Sequence, residues 1–435
     1  MAKTRSGSRL WQPHSDRGDR TTTIIAKVRG GGATTARGMA AASAATTATL
    51  ERLLDNGRVA SVRPVFGDDA PGRGPLSLAD LTLGAAAGGR ARGAAPRSVG
   101  LIEIAVAPGT NPTALARHVA ALAHIEYAFV PPVRRLFGGR TAAARTRRSA
   151  PDQWSHPVIG LAAAQAARGF TDGSTVTVAV VDSGIDATHP DLAGALVEYK
   201  NFLKENDKDY IGHGTHVAGI IGARAATATG VTGVSRARIL ALKALPRDDN
   251  FDATAYYRAL RYVIGRAQVL NLSLGGDKDP AEIDILRDVI AAGVVVVAAM
   301  GNEYEDGNPT EYPAAMPEVC AVGATDQQDR RAWFSNTGRH IDLVAPGVAI
   351  RSTTPTYRYD DPEGKRRYDA MDGTSMATPH VAAAAALVLA RHPRLTPAQM
   401  VSRLTRTTDR VARTTSKASP SYGSGRLNVR KALRP

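Results

Sequence analysis

Hydrophobic and polar positions along residues 21–130 predict a small unit of mixed strands and helices. The pattern indicates, in order, a strand, a helix, two strands, a helix and a strand. These elements are Thr21–Val28, an alanine-rich helix ending at Leu50–Leu54, Val59–Phe66, Val99–Val106, Asn111–Ala123 and Ile125–Val130. Their β-α-β-β-α-β order is that of a ferredoxin-like α+β fold. Residues 1–20 are polar without periodicity, which is typical of a disordered lead-in.

A different pattern begins near residue 151. Residues 131–150 form a basic stretch that we interpret as an extended linker. Beyond it, largely apolar runs of strand length alternate with helical stretches, and these runs are Val176–Val181, Ile239–Leu242, Val269–Leu274 and Gly293–Ala299. Such runs are typical of parallel strands that helices cover on both faces. Residues 151–435 are therefore predicted to form an α/β domain built on a parallel sheet.

Length and composition agree with two folded units. The chain has 435 residues, of which 43% are hydrophobic, and it exceeds the usual size of one domain. Residues 1–148 carry 22 Lys and Arg against 9 Asp and Glu and so hold most of the net charge of +15. A basic chain suggests nucleic acid as a partner. Here the excess charge is dispersed and lacks clusters of aromatic residues, so nucleic-acid binding is not expected.

The cysteine count and the apolar segments exclude further classes. Cys320 is the only cysteine, which rules out an intramolecular disulfide and a multi-cysteine metal site. Its apolar neighbours favour a buried small side chain over a reactive thiol. No stretch has the length of a membrane-spanning helix, so no membrane association is expected. The opening residues lack the apolar core of a signal peptide, which favours a cytoplasmic or non-classically exported protein unless translation starts elsewhere.

Three motifs place an acid, a base and a nucleophile at predicted strand ends or helix starts. Asp182 closes an apolar strand in VVDSG, His213 opens a helix in GHGTHVAG, and Ser375 precedes an apolar helix in GTSMATPH. A serine hydroxyl is a poor nucleophile until a base takes its proton. That base in turn needs a carboxylate that fixes its tautomer and stabilises its charged form. The three residues together predict a catalytic triad.

Each motif alone also has a plainer interpretation. Asp182 is consistent with a buried capping residue, and Ser375 with a helix N-cap. His213 and His216 are conceivable as a metal pair, but no acidic third ligand is expected to be arranged beside them. The combination of all three motifs, widely spaced in the order Asp, His, Ser, favours catalysis.

In these motifs the sequence resembles the subtilisin family of serine proteases. The similarity covers about residues 150–435 and includes THPDL at 188–192 and YGSGRLN at 422–428. It implies a subtilisin-like parallel sheet flanked by helices, and hydrolysis of peptides or proteins through an acyl-enzyme on Ser375. The N-terminal unit resembles a subtilisin propeptide, which implies a zymogen whose residues 21–130 aid folding and then inhibit the enzyme. A monomer is expected.

The resemblance assigns further residues to the site. Asn302, in AAMGN, matches the asparagine that donates to the oxyanion, with the amide of Ser375 as second donor. A turn-forming Gly-Asn pair is the alternative interpretation of Asn302. The edge that binds an extended substrate as an added strand is matched by Ser273, Leu274 and Gly275.

The pocket for the side chain before the cleaved bond is predicted by the same resemblance. Met300 and Gly301 are expected to line one wall, and Glu311 is expected at the floor. A carboxylate in that position favours Lys or Arg through charge pairing. The alternative is a solvent-exposed Glu311 without influence on the substrate.

Maturation and metal binding are further expectations. If Glu311 selects basic side chains, Arg147–Arg148 is a natural self-cleavage site, which leaves a new N-terminus near Ser149. Family members commonly bind calcium through an aspartate that is matched by Asp191 and through a loop after the histidine helix. That loop, residues 224–230, contains no carboxylate and no Asn, although backbone carbonyls remain available. We therefore expect that no cofactor is required and leave calcium open.

Two competing functions can be told apart from an active enzyme. A catalytically dead binding protein of the same fold is disfavoured because Asp182, His213, Ser375 and Asn302 are all present. Hydrolysis of a peptide, blocked by a serine-directed inhibitor, separates the two cases. A nucleic-acid-binding protein is disfavoured because the excess charge disappears with residues 1–148.

Overall fold

The described residues fall into two compact units. The computed structural model describes residues 23–28, 48–66, 100–122, 125–139, 153–248, 250–360, 367–411 and 419–434. One unit comprises Ser15–Pro132 with Asp279–Asp288, and the other consists mainly of Val133–Lys278 and Val289–Pro435. The predicted lead-in over residues 1–20 and the pair Arg147–Arg148 lie outside the described residues.

The smaller unit contains a four-stranded antiparallel sheet in the order β2-β3-β1-β4. Its elements are β1 (Thr23–Val28), α1 (residues 48–55), β2 (Val59–Pro64), β3 (Leu101–Val106), α2 (Pro112–Ala120) and β4 (Ile125–Phe129). The α2 helix starts after Asn111, whose side chain accepts the Ala114 amide at 2.9 Å. An asparagine N-cap followed by proline explains this boundary.

The core of the smaller unit lies between the sheet and its helices. Nearly all residues of β1 and β3 are buried, but only alternate ones, including Ile24 and Ile104, belong to this core. They pack in one cluster with the apolar face of α2, which contributes Leu115 and Val119. The alternation along the strands therefore determines which face of the sheet the helices cover.

The larger unit is built on a seven-stranded parallel sheet. The described strands of the unit are β5 (Arg135–Leu136), β6 (Thr177–Asp182), β7 (Leu196–Asn201), β8 (Arg238–Lys243), β9 (Val269–Leu272), β10 (Leu274–Gly275), β11 (Val295–Ala299), β12 (Cys320–Thr325), β13 (Leu343–Pro346), β14 (Ile350–Thr353) and β15 (Tyr368–Met371). Two small two-stranded sheets, β10-β5 and β14-β15, accompany the parallel sheet. The parallel sheet has the order β13-β12-β11-β9-β6-β8-β7. Every residue of β6, β11 and β12 is buried. The predicted parallel α/β sheet is confirmed.

The described residues contain eight further helices, one of which, Pro280–Ala291, lies largely in the smaller unit. They are α3 (Ser155–Val158), α4 (Leu161–Gln165), α5 (His213–Gly222), α6 (Ala253–Tyr262), α7 (Pro280–Ala291), α8 (Thr374–Arg391), α9 (Pro397–Arg406) and α10 (Val429–Ala432). The α8 helix packs against α5 and against strands β9, β11, β12 and β13. A small residue likewise lets α5 approach β14, since a β-carbon at Gly219 of α5 would lie 2.2 Å from hydroxyl oxygens of β14. Among the described residues, no helix is both long and apolar enough to cross a membrane.

One predicted strand proves to be two. The run Val269–Leu274 leaves the parallel sheet at Ser273, so that β9 ends at Leu272 and β10 pairs antiparallel with β5. Ser273 is held in this break because its hydroxyl donates to the carbonyl of Ser375 at 2.9 Å. A further strand, Arg135–Leu136, lies within the predicted extended linker. The hydrophobic pattern of one run does not show with which neighbouring strand each of its residues forms hydrogen bonds.

Candidate active site

Asp182 and His213 form a buried pair at the carboxyl end of the parallel sheet. Asp182 is the last residue of β6, and His213 is the first residue of α5. The His213 Nδ1 atom lies 2.8 Å from Oδ1 and 3.0 Å from Oδ2 of Asp182. Their side chains are 2% and 1% exposed, respectively. The carboxylate therefore orients the imidazole, whose Nε2 has no hydrogen-bond partner among the described residues and is available as a base.

Ser375 lies at the start of the long buried helix α8. Its side chain is fully buried, and its Oγ donates to the carbonyl of Ser273 at 2.8 Å. The hydroxyl hydrogen bond is thus made to a backbone oxygen, while Nε2 of His213 stays unpartnered among the described residues. A rotation about the Cα–Cβ bond of Ser375 is the movement that redirects the hydroxyl.

Two donors converge on a single peptide carbonyl next to Ser375. The Asn302 side chain donates to the carbonyl oxygen of Phe137 at 2.8 Å, and the Ser375 amide donates to the same oxygen at 3.1 Å. Asn302 is held in this orientation because its own oxygen accepts the Thr374 amide at 2.9 Å. Gly373 is required beside them, since a β-carbon there would lie 2.0 Å from the Phe137 oxygen. This is the geometry of an oxyanion hole.

The segment Val133–Gly139 lies in the cleft in extended form. Its β5 strand pairs antiparallel with β10, with Leu136 opposite Leu274 and Arg135 opposite Gly275. On the other side of Ser375, the amides of Gly139 and Asp372 each donate to the other's carbonyl at 3.1 and 3.0 Å. Backbone pairing on both sides is how an extended peptide binds a sheet edge. The Phe137–Gly138 bond therefore occupies the position of a substrate bond.

These groups together can carry out acyl transfer. A serine nucleophile, an unpartnered imidazole nitrogen, a carboxylate behind it and two donors at a carbonyl oxygen are the parts that such a reaction requires. The structure thus brings together Asp182, His213, Ser375 and Asn302, which the sequence predicts as catalytic, with the predicted substrate-binding edge of Ser273, Leu274 and Gly275.

Comparison with known proteins agrees with this geometry. Residues 173–425 match the model of the subtilase family, Peptidase S8. The chain belongs to the subtilase family. It is 40% identical to a subtilisin of Bacillus pumilus over 276 residues, which cover 61% of this chain and 93% of that protein. It is also 40% identical to subtilisin E of Bacillus subtilis over 61% of this chain and 67% of that protein.

A relative with a different name supports the same assignment. The chain is 38% identical to an intracellular serine protease of Paenibacillus polymyxa over 50% of its own length and 68% of that protein. With family membership and the complete site together, this subtilase is a serine endopeptidase.

The pocket of this subtilase that receives the side chain before the substrate bond holds Phe137. The Phe137 residue is 2% exposed, and a β-carbon at Gly275 would lie 2.5 Å from its ring. The same added β-carbon at Gly275 would lie 3.1 Å from Oε2 of Glu311. Glu311 is therefore buried at this pocket, close to the ring of Phe137, and is not exposed to solvent as in the alternative interpretation.

The predicted wall of the pocket includes a residue that the sequence analysis missed. A β-carbon at Gly301 would lie 2.8 Å from Cγ of Glu311 and 2.9 Å from Oε2 of Glu303. Met300 is buried just before this point, and its amide donates to Val322 at 3.0 Å. The one feature of the sequence that could have pointed to Glu303 as a pocket residue is its position directly after Asn302.

The carboxylates in this region are desolvated. Burial, reinforced by the neighbouring charges of Glu303 and Asp277, raises the pKa of Glu311 to about 7. Burial also raises the pKa of Glu303. Oε2 of Glu311 has no hydrogen-bond partner among the described residues. The pocket that holds the Phe137 ring is thus bordered by a carboxyl group whose pKa burial raises to about 7.

A buried acid next to the triad was also missed. Asp209 is fully buried, and its carboxylate accepts the amides of Gly212 at 2.8 Å and Thr215 at 2.9 Å, at the start of α5. The hydroxyl of Ser183 lies 2.9 Å from Asp209 and 3.1 Å from Asp182. Asp209 thus holds the loop that presents the catalytic histidine.

The predicted metal alternatives do not find support in the described residues. Nε2 of His216 lies 3.2 Å from the carbonyl of Asp369, and burial lowers the pKa of His216 to about 3. No group of three or more His, Cys, Asp or Glu residues in the described part of the chain is placed to hold a metal ion. The two oxygens of Asp191 accept the amides of Ala226 at 2.8 Å and Val231 at 2.9 Å. Loop amides thus hold both oxygens of Asp191, and the absence of a calcium requirement stays a prediction.

Proposed function

We propose that this subtilase is a zymogen that hydrolyses peptide bonds through an acyl-enzyme on Ser375 and cuts first its own Phe137–Gly138 bond. The supporting observation is the carbonyl of Phe137, which accepts from both Asn302 and the Ser375 amide. A substrate carbonyl in this position polarises as its oxygen gains negative charge, and two fixed donors stabilise that charge.

In the first step, Oγ of Ser375 turns from Ser273 towards His213 and attacks the carbonyl carbon of Phe137. Nε2 of His213 takes the hydroxyl proton, and Asp182 stabilises the resulting imidazolium. Collapse of the tetrahedral intermediate breaks the bond to the nitrogen of Gly138, to which His213 returns the proton. A water molecule then hydrolyses the ester between Phe137 and Ser375, with His213 again as the base.

The location of Gly138 supports this order of events. A β-carbon at Gly138 would lie 3.0 Å from Nε2 of His213, so the backbone of Gly138 runs beside the base. The leaving nitrogen belongs to this residue. A proton donor must lie within hydrogen-bond reach of the leaving group or approach it with a small movement.

After this cut, the fragment that ends at Phe137 carries a free carboxylate. We propose that this fragment, which contains the N-terminal unit, occupies the cleft as a product and so inhibits the enzyme. The pair Arg147–Arg148 is proposed as a later cut, made by another molecule. Support for a basic preference comes from Glu311 and Glu303, both of which border the pocket. We propose that a Lys or Arg side chain of the substrate enters this pocket when Glu311 is ionised.

Peptides and proteins are the proposed substrates. The enzyme is proposed to act as a monomer and to require no cofactor.

The test is hydrolysis of two matched chromogenic peptides, which end in Phe or in Lys before the chromophore. The processed wild-type protein should cleave both, and a serine-directed inhibitor should abolish the activity. The Ser375→Ala protein serves as control and should remain full length and inactive. Equal hydrolysis by Ser375→Ala and wild type would refute catalysis by this site.

A further inference from the structure

The C-terminal segment of the chain, residues 391–435, is strongly basic. It contains 11 Lys and Arg but one acidic residue, Asp409, whereas residues 149–390 contain 22 Lys and Arg against 30 Asp and Glu. The near-neutral total of residues 149–435 therefore conceals a separation of charge along the chain. Such a segment produces a positive potential unless carboxylates from elsewhere in the fold neutralise it.

Part of this charge surrounds an open groove between α9 and the end of α10. The groove has a volume of about 610 Å³, and four cations line it, namely Arg403, Arg406, Lys431 and Arg434. None of the described residues that line it is acidic. We call this site the basic groove. Its volume is in the range that admits a small organic or inorganic molecule.

The sequence of α9 supplies one polar face of the groove. Gln399, Ser402, Arg403 and Arg406 recur at the spacing i, i+3, i+4 and i+7, which places them on one side of a helix. The side-chain oxygen of Gln399 already accepts the Thr396 amide at 2.9 Å, so its nitrogen is left as a donor. This face thus offers hydrogen-bond donors as well as positive charge.

Three of the four groove cations have no carboxylate partner among the described residues. Arg403 is half-buried, and it donates through Nε to the carbonyl of Ala432 at 2.7 Å and through Nη2 to the carbonyl of Arg434. Both of these acceptors are neutral. Arg406 and Arg434 are exposed, and their guanidinium groups form no ion pair with the part of the chain that the structure describes. Their charges are available to an anion.

The one acidic residue of the C-terminal segment does not neutralise the groove. Asp409 lies 2.6 Å from Nζ of Lys431 and 2.8 Å from Nη2 of Arg426, so two cations share this carboxylate. Only Lys431 among the groove cations is thereby paired within the described residues.

The neighbouring His392 is affected by the remaining charge. Burial lowers the pKa of His392, and the charges of Arg403 and Arg391 lower this pKa further. The protonated imidazole is disfavoured because its charge would add to that of the arginines. The fold therefore gathers like charges here, and a bound anion relieves their repulsion.

The basic groove is separate from the active site. Ser375 lies in the first turn of α8, and the groove begins at Leu395, beyond the last turn of the same helix. The 18 residues of this helix span about 27 Å. A ligand in the groove therefore does not occupy the cleft that binds the peptide.

We infer that the basic groove binds a small, soluble anion that carries several phosphate groups. A guanidinium group binds phosphate through two parallel hydrogen bonds, whereas a lysine acts as a point charge. A single phosphate leaves most of the four charges uncompensated, but a linear triphosphate group can contact α9 and the end of α10 together. The ligand thereby joins these two segments and stabilises the folded protein.

The test is equilibrium dialysis of tripolyphosphate against the full-length Ser375→Ala protein, so that the result does not depend on peptidase activity. Salt at about 0.15 M screens dispersed charges, such as those of residues 1–148, beyond about 8 Å. Arg406→Gln and Arg434→Gln each remove one groove cation. Arg339→Gln is the matched control, because Arg339 is exposed and does not line the groove. An unchanged melting temperature without ligand shows that each variant is folded.

Arg406→Gln and Arg434→Gln should each raise the Kd for tripolyphosphate about fivefold or more, because each loses a charge-assisted contact. Arg339→Gln should change the Kd by about twofold or less, and orthophosphate should bind more weakly than tripolyphosphate. Absence of saturable binding, equal losses in all three variants, or equal affinity for orthophosphate would overturn the inference. Tighter binding of a single-stranded oligonucleotide, lost in the two groove variants, would assign the groove to nucleic acid and overturn it too.

Discussion

Replacement of Gly138 by alanine tests the position of the substrate bond with a single methyl group. A β-carbon added at Gly138 would lie 2.8 Å from Sδ of Met376, 3.0 Å from its Cε and 3.0 Å from Nε2 of His213. Carbon atoms normally approach each other to about 3.5–4.0 Å. Sδ and Cε of Met376 end a flexible side chain, whereas the His213 ring is held through Nδ1 by Asp182 and has little freedom to retreat. Gly139, by contrast, has no atom within 4 Å of a β-carbon.

The expected magnitude follows from this overlap. Inserting a methyl group into a well-packed site costs about 1–3 kcal/mol. If the cost applies to the bound segment and its transition state, cleavage at Phe137–Gly138 slows by about 5- to 150-fold. Neither glycine has a positive φ, so backbone strain does not separate the two substitutions. Gly139→Ala should change the rate by about twofold or less.

The assay is the appearance of the two cleavage products, followed by intact mass after the purified full chain is transferred to permissive conditions. Wild type, Gly138→Ala, Gly139→Ala and Ser375→Ala are measured in parallel. The reasoning is refuted if Gly138→Ala is cut at the wild-type rate, or if Gly139→Ala slows cleavage as much as Gly138→Ala.

Three further predictions concern the oxyanion, the pocket and calcium. Asn302→Ala should lower kcat by about 10²- to 10³-fold with little change in KM, a magnitude known from subtilisin itself and not worked out from this chain; a loss below about fivefold would argue against this donor. Burial, reinforced by the charges of Glu303 and Asp277, raises the pKa of Glu311 to about 7 in the structure whose pocket holds Phe137, so the complex with phenylalanine takes up a proton as the pH falls below 7, whereas a Lys ammonium in the pocket favours the ionised carboxylate. The ratio of kcat/KM for Phe to that for Lys substrates should therefore fall as pH rises from 5 to 7 and level off above it; Glu311→Gln should remove this dependence, and a dependence that persists in Glu311→Gln would contradict it. A chelator should leave the melting temperature unchanged, whereas Asp191→Ala should cost about 1–3 kcal/mol for the buried Val231 amide left without its acceptor; a large drop with chelator alone would indicate a metal elsewhere.

The catalytic residues were predictable because the chemistry restricts residue types and the fold restricts their places. Asp182 ends a fully buried and largely apolar strand, and parallel strands end at a common edge of the sheet. His213 and Ser375 each stand at the start of a helix next to glycine, which is visible in the sequence. The apolar runs likewise predicted the parallel sheet, because strands covered on both faces carry no alternation.

The segment in the cleft could not be predicted in the same way. Composition directs attention to the basic pair Arg147–Arg148, which lies outside the described residues. The position of Phe137 depends on space left by Gly275 and Gly373, residues more than 130 positions away along the chain. Such shape complementarity between distant residues leaves no periodic or compositional signal.

The break in the predicted strand at Ser273 has a similar origin. The residues of β10 show the same apolar pattern as those of β9, but β10 pairs with β5, a strand from another part of the chain. The shared pocket of Glu303 and Glu311 also depends on the loop between them, whose path the local sequence does not define.

The most direct test of the proposed zymogen is the identity of the first new chain ends. Purified full-length wild type and Ser375→Ala should be followed by terminal sequencing and intact mass at several protein concentrations. The account predicts that wild type alone is cut, first between Phe137 and Gly138, at a rate independent of concentration. A first cut after Arg148, or the same cut in Ser375→Ala, would contradict it.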